Sequence, residues 1–322
     1  MNTIAKISMG LATLALSLST STPAQAYSGP AFVRRTAAIG QLANNGYCHD
    51  ATNDQVVDGK TFIYKEVWST PEVRVYSHTN ANNGNENLIV NFCGTRTGTL
   101  AGIGDLLRDL QGATISTSAN NYWTGDAYPA LGVGLGFHTR VFNYMKSPQG
   151  DALRLHYVAR KTLDARTDSL VTGHSLGGAA SQIFSYYLSR YLREDGFSED
   201  HFPVYNFAFN PPQSVSHSFK LAMIQESGAG FFTPFNFSVR RDAISTWATP
   251  YMHGAVDQPN RLGTFPDEFD YLAHAELEPI VDKPAQIENH LLAGEALNRW
   301  ANTCYWQPQV PALMGSQYHP SW

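Results

Sequence analysis

Ser169-Leu170-Val171-Thr172-Gly173-His174-Ser175-Leu176-Gly177-Gly178-Ala179-Ala180 joins an apolar run to a helical one across a tight glycine turn. Ser169 to Thr172 has the character of a buried strand. A long helix begins at Leu176 and runs to about Leu192, with Ile183, Tyr187 and Tyr191 spaced four residues apart along one face. Between them, Gly173-His174-Ser175-Leu176-Gly177 is a Gly-x-Ser-x-Gly pattern. Such a short pattern arises by chance and is weak alone. Its position, after a strand and opening a helix, is what a nucleophile elbow requires. The steric reason is specific: the serine occupies a strained turn, and side chains two positions to either side would collide with neighbouring backbone. An ordinary strand-to-helix turn is the competing reading, and the context disfavours it. A dinucleotide turn is a poorer one, because Gly132, Gly134 and Gly136 lack the third glycine of that fingerprint and a convincing strand before them.

Around this turn the pattern alternates. A helix is predicted near Arg35 to Asn45, with Ile39, Leu42 and Ala43 on one face. Strands are predicted at Thr61 to Val67, Glu72 to Ser77 and Leu88 to Phe92, the last two separated by an Asn-rich polar turn from His78 to Asn87. Leu100, Ile103, Leu106, Leu107 and Leu110 recur at helical spacing, and a further helix is predicted from Ala152 to Leu163. Alternating helices and apolar strands argue for an α/β fold, a central, mostly parallel sheet flanked by helices. No fixed-period repeat or linker divides the chain, so one domain is expected over residues 27–322.

Residues 1–26 have the form of a signal peptide. Lys6 is followed by an apolar run from Ile7 to Leu18 and by the small-residue site Ala24-Gln25-Ala26. The run is broken by Ser8, Thr13 and Ser17 and is too short for the ~20 residues of a membrane span, so cleavage near Ala26 and a secreted or periplasmic product are expected. No transmembrane segment is expected later in the chain.

The composition agrees with a large core. Of the 322 residues 43% are hydrophobic, 12% aromatic and only 15% charged, which excludes a disordered chain. A net charge of −5 with no basic block excludes the electrostatic footprint of a nucleic-acid binder. Cys48, Cys93 and Cys304 make an odd count, and in an oxidising compartment the arithmetic is one bridge and one spare thiol.

A serine hydroxyl needs a base and an orienting carboxylate to act as a nucleophile. In the chain order of α/β-hydrolases, acid then histidine follow the serine. Asp242 is the leading acid, directly after the strand-like stretch Phe235 to Val239; its competing reading is a solvated turn residue beside Arg240 and Arg241. His201, His217, His253, His274, His290 and His319 all follow Ser175. His253 lies too close to Asp242 to be attractive as the base. Asp267, Glu268 and Asp270 are an acidic loop rather than a calcium site, and no metal or cofactor is expected.

These residues resemble the class 3, fungal-type lipase family of the α/β-hydrolase fold, from about Thr36 to Cys304. The elbow from Val171 to Ala180 is similar to the family's elbow almost letter for letter. Val90-Asn91-Phe92-Cys93-Gly94-Thr95 resembles the strand end that leads to its oxyanion hole, and Asp105-Leu106-Leu107-Arg108-Asp109-Leu110 resembles a segment in which Leu106 replaces Trp. Gly136-Phe137 resembles a Gly-Phe that follows a His in many members, where this chain has Leu135. Phe207-Ala208-Phe209-Asn210-Pro211 is similar to the strand and turn before the acid's strand, with Asn210-Pro211-Pro212 departing from the usual Pro-Arg. Arg240-Arg241-Asp242-Ala243-Ile244 matches the acid motif. His290-Leu291-Leu292 resembles the catalytic His-Leu, with Ala293-Gly294 in place of aromatic residues.

The resemblance implies a Ser175, Asp242, His290 triad, with His274 as the alternative base. It implies an oxyanion hole from the backbone N–H groups of Thr95 and Leu176. It implies a lid over Arg96 to Leu110 with Leu100, Ile103, Leu106 and Leu107 on its apolar face, for which a permanently packed surface helix is the competing reading. It also implies a disulfide from Cys48 to Cys304, leaving Cys93 as a buried, inert thiol. The expected activity is that of an exported serine carboxylic ester hydrolase, foremost a triacylglycerol lipase, acting on a lipid or ester substrate at a lipid-water interface. A phospholipase A1, an esterase on soluble or feruloyl esters, and a catalytically silent binding protein on the same scaffold are the alternatives.

Overall fold

The computed structural model describes residues 39–40, 42–43, 54–57, 60–63, 65–79, 84–94, 116–209 and 211–237. Ten strands lie among them: β1 (Asp54–Val57), β2 (Lys60–Ile63), β3 (Lys65–Ser69), β4 (Val73–Thr79), β5 (Glu86–Phe92), β6 (Ser116–Asn121), β7 (Asp126–Gly134), β8 (Thr167–His174), β9 (Val204–Phe209) and β10 (Phe232–Phe237). The helices are α1 (Leu135–Lys146), α2 (Pro148–Thr162), α3 (Leu176–Glu194) and α4 (His217–Gly228).

Six strands form one sheet in the order β10-β9-β8-β5-β4-β3. β5, β8, β9 and β10 are parallel, whereas β3 and β4 join antiparallel at one edge. The parallel strands follow from composition: every residue of β5 and β8 is buried, as expected of strands covered on both faces. The fold is α/β-hydrolase-like, a mixed sheet flanked by helices, as the sequence predicts. β1 pairs with β2, and β6 pairs with β7, as two separate antiparallel hairpins.

The core lies between this sheet and α3, whose face is buried from Gly177 through Tyr187 and on to Leu192. Phe92, Tyr144 and Phe184 form an aromatic cluster in it, with ring centroids 5.2–5.7 Å apart. α2 starts on a Ser147 side-chain cap to the Gly150 amide, with Pro148 in the first turn. Ile39, Gly40, Leu42 and Ala43 are helical and buried, within the predicted N-terminal helix. Asn91 Nδ2 donates to Leu42 O at 3.5 Å, which fastens that segment to β5.

At the start of β5 and β8, away from the serine turn, Glu86 is buried among polar partners. Its carboxylate accepts from Ser77 Oγ at 2.7 Å and faces His156 Nε2 at 2.7 Å and Arg160 Nε at 3.5 Å. Arg160 also donates to the Thr167 hydroxyl and the Arg166 carbonyl, so one cluster closes that end of the sheet.

Candidate active site

Ser175 sits where β8 ends and α3 begins, at φ 57° and ψ −128°. This is a left-handed backbone that side-chain-bearing residues rarely adopt, and it turns the side chain out of the strand-helix path. The backbone is held from both sides. Ser175 N donates to Phe209 O of β9 at 2.9 Å, and Ser175 O accepts from Ala179 N at 3.2 Å.

The flanking glycines are required by contact. A Cβ on Gly173 would lie 2.3 Å from Gly177 C and O, and one on Gly177 would lie 2.1 Å from Phe92 O. Gly178 is less constrained, with Gly173 O at 3.1 Å and Phe209 O at 3.2 Å. The ends of β5, β8 and β9 therefore converge on the first turn of α3, in the register Phe92 to Gly173 and His174 to Phe209. Ligands in open α/β sheets bind at the carboxyl ends of the strands, and Ser175 is at that edge.

Ser175 is 2% exposed, and its Oγ makes no hydrogen bond among the described residues. The hydroxyl is thus not spent on capping α3. The N-terminus of α3 carries unsatisfied N–H groups and the positive end of a helix dipole, an environment that favours an anion. Leu176 is the first residue of that helix. Phe92 and Cys93, where β5 ends, pack their backbone on Gly177 of the same turn.

Asp242, His290, Thr95 and the apolar residues Leu100, Ile103, Leu106 and Leu107 lie outside the described residues, as do Cys48 and Cys304. Among the described residues no group of three or more His, Cys, Asp or Glu gathers as metal ligands.

Cys93 corrects one expectation. It is buried and disulfide-bonded, and the chain has only two other cysteines, Cys48 and Cys304. Cys93 is therefore not the spare thiol, while the expected pairing of Cys48 with Cys304 falls on residues outside those described. Connectivity among cysteines is not deducible from sequence, and here Cys93 leaves β5 with its neighbour's carbonyl against Gly177, which ties the bridge to the wall of the serine turn.

The model of the family described as lipase (class 3) matches residues 126–250, from β7 through the serine turn and past β10. Residues 126–250 belong to the class 3 lipase family. The matched segment carries the Ser175 turn and agrees with the α/β-hydrolase-like fold. Among solved structures it is similar to a lipase from Rhizopus microsporus var. chinensis, at 17% identity over 69% of this chain and 71% of that one, with a TM-score of 0.44. It is similar also to a triacylglycerol lipase from Penicillium expansum, at 14% identity over 69% and 74%, with a TM-score of 0.44. Lipase II from Rhizopus niveus matches at 14% identity over 68% and 76%, also at 0.44. No curated protein sequence matches the chain.

The β6–β7 hairpin, α1 and α4 are not legible as such in the sequence. For α1 a signal exists, because Phe137, Val141 and Tyr144 recur at helical spacing and all are buried. Gly134 and Gly136 at its start obscured it.

Proposed function

We propose that this lipase-family protein is an exported triacylglycerol lipase that works through an acyl-enzyme on Ser175, with Asp242 and His290 completing the triad. The observation that carries the reading is Ser175 itself, a buried hydroxyl with no hydrogen-bond partner among the described residues, on a strained strand-to-helix turn inside the family-matched segment.

In this mechanism His290 takes the Ser175 proton as Oγ attacks the ester carbonyl carbon. Asp242 holds the imidazole in the required tautomer and balances its charge. The carbonyl oxygen becomes an oxyanion, bound by the N–H groups of Leu176 and Thr95, each such donor contributing roughly 3 kcal/mol to the transition state. The tetrahedral intermediate collapses and expels the alcohol, which takes the proton from His290. Water then attacks the acyl-enzyme by the same route in reverse, releasing the fatty acid and restoring Ser175. Neither metal nor organic cofactor takes part.

The signal peptide reading of residues 1–26 supports export, with 27–322 as one domain. Among the described residues no helix is long and apolar enough to cross a membrane. The segment from Arg96 to Leu110 is the proposed lid, whose apolar face covers the acyl site in water and turns onto lipid.

The test is a chain-length series of esters, measured below and above micelle formation, with Ser175→Ala as control. The reading expects activity to jump above the critical micelle concentration, with emulsified long-chain glycerides preferred and the Ser175→Ala variant inactive. Preference for phospholipid vesicles, or for short soluble or feruloyl esters, overturns the substrate assignment.

A further inference from the structure

Asn206 lies in β9 opposite Val171 of β8, fully buried on the face that α3 covers. Its amide nitrogen donates to Val171 O at 3.2 Å and to Ser181 Oγ of α3 at 3.0 Å. Ser181 Oγ, also fully buried, passes its own hydrogen to Gly178 O at 2.7 Å. The direction of the relay is fixed. A carbonyl accepts only, and the Ser181 hydrogen is committed to Gly178, so both contacts need the NH2 side of Asn206. Ser185 Oγ adds a bond to Ser181 O at 2.7 Å.

The relay adds a side-chain anchor to a helix start that has no side-chain cap. Ser175 provides no side-chain cap, and the first turn holds two weak helix formers, Gly177, which the backbone of Phe92 requires, and Gly178. Asn206 Oδ1, meanwhile, has no hydrogen-bond partner among the described residues. A buried amide with an orphaned oxygen costs stability that an apolar side chain in the same place would not. Packing alone does not account for a polar residue there.

We infer that Asn206 and Ser181 are positioning residues for the serine turn. Through Gly178 O they fix the first turn of α3 against β8 and β9, and thereby hold the Leu176 N–H and the Ser175 side chain at the geometry that the tetrahedral intermediate needs. The inference rests on the proposed roles of Ser175 and Leu176.

The test is steady-state hydrolysis of p-nitrophenyl butyrate by the full chain and its Ser181→Ala, Ser181→Thr, Asn206→Leu and Ser181→Ala/Asn206→Leu variants, each with a melting curve. Ser181→Ala is expected to lower kcat about tenfold with KM changed less than about twofold, the pattern of lost alignment rather than lost binding. Ser181→Thr, which keeps the hydroxyl, restores most of that kcat. The double variant falls no further than the worse single one, because both act through one relay. Unchanged kcat in Ser181→Ala, failure of Ser181→Thr to recover it, or losses that multiply would each overturn the inference. If Asn206→Leu does not fold, the two Ser181 variants decide. A Ser175→Ala protein that retains activity sinks the underlying reading instead, whereas an inactive Ser175→Ala beside an unaffected Ser181→Ala sinks this inference alone.

Discussion

At Ser175 the backbone stands in a conformation worth of order 1–3 kcal/mol of strain for a residue with a side chain. The strain serves placement: it aims Oγ away from the helix that Ser175 precedes. Replacing Ser175 by Gly is therefore expected to abolish ester hydrolysis and at the same time raise stability by about 1 kcal/mol in denaturant unfolding. Equal or lower stability would contradict the strain. Gly177 behaves in the opposite sense. Its Cβ position is blocked by Phe92 O at 2.1 Å and Phe92 C at 2.8 Å, both backbone, so relief by a rotamer change is impossible. Gly177→Ala is expected to cost about 3 kcal/mol or more, visible as a lowered melting temperature. These two glycine contacts were legible in the sequence, because the Gly-x-Ser-x-Gly spacing follows from them. The Asn206 and Ser181 relay was not, since nothing in the local pattern of β9 or α3 marks a cross-element hydrogen bond.

Among the elements, β5 and β8 are clamped at their starts by Glu86. Burial pushes the Glu86 carboxyl up, but hydrogen bonds from His156 and Ser77, with the charges of His156 and Arg160, outweigh it and hold the group below its ordinary value near 4.5. A carboxylate depressed in the folded state adds stability above its unfolded pKa and loses it as pH falls through the folded value. Glu86→Gln is accordingly expected to flatten the loss of stability below about pH 4.5 and to cost about 1–3 kcal/mol at pH 7, measured by urea unfolding across pH. An unchanged acid limb would show that the clamp does not couple to folding.

Element by element, legibility tracked burial. The parallel strands could be read because burial on both faces leaves continuous apolar runs such as Leu88-Ile89-Val90. The β6–β7 hairpin could not. β6 is Ser-Thr-Ser-Ala-Asn-Asn, β7 carries Pro129, and the register shifts between Ser118 and Ala119, so neither strand offers a clean alternation. α4 was missed because its buried Phe219 and Met223 are offset by Leu221 and Ile224, which are exposed and blur the apolar face.

For the whole molecule, the covalent anchor is Cys93, just after β5, which is disulfide-bonded. Cys93→Ser is expected to lower stability by about 2–4 kcal/mol, and non-reducing peptide mapping is expected to recover Cys93 in a bridged pair. A linked Cys48–Cys304 peptide with Cys93 free would contradict this. The pairing is not legible in the sequence, because three cysteines admit three single bridges. The low charge and the apolar composition fit the proposed handling of acyl chains, with Ser175 as the proposed nucleophile. The most direct measurement is labelling of the folded, full-length protein with a fluorophosphonate, followed by mass spectrometry of the modified peptide. The account predicts a single phosphonylated residue, Ser175, with label and esterase activity lost in parallel on Ser175→Ala. Label on a different residue, or none in a protein that hydrolyses esters, would contradict it.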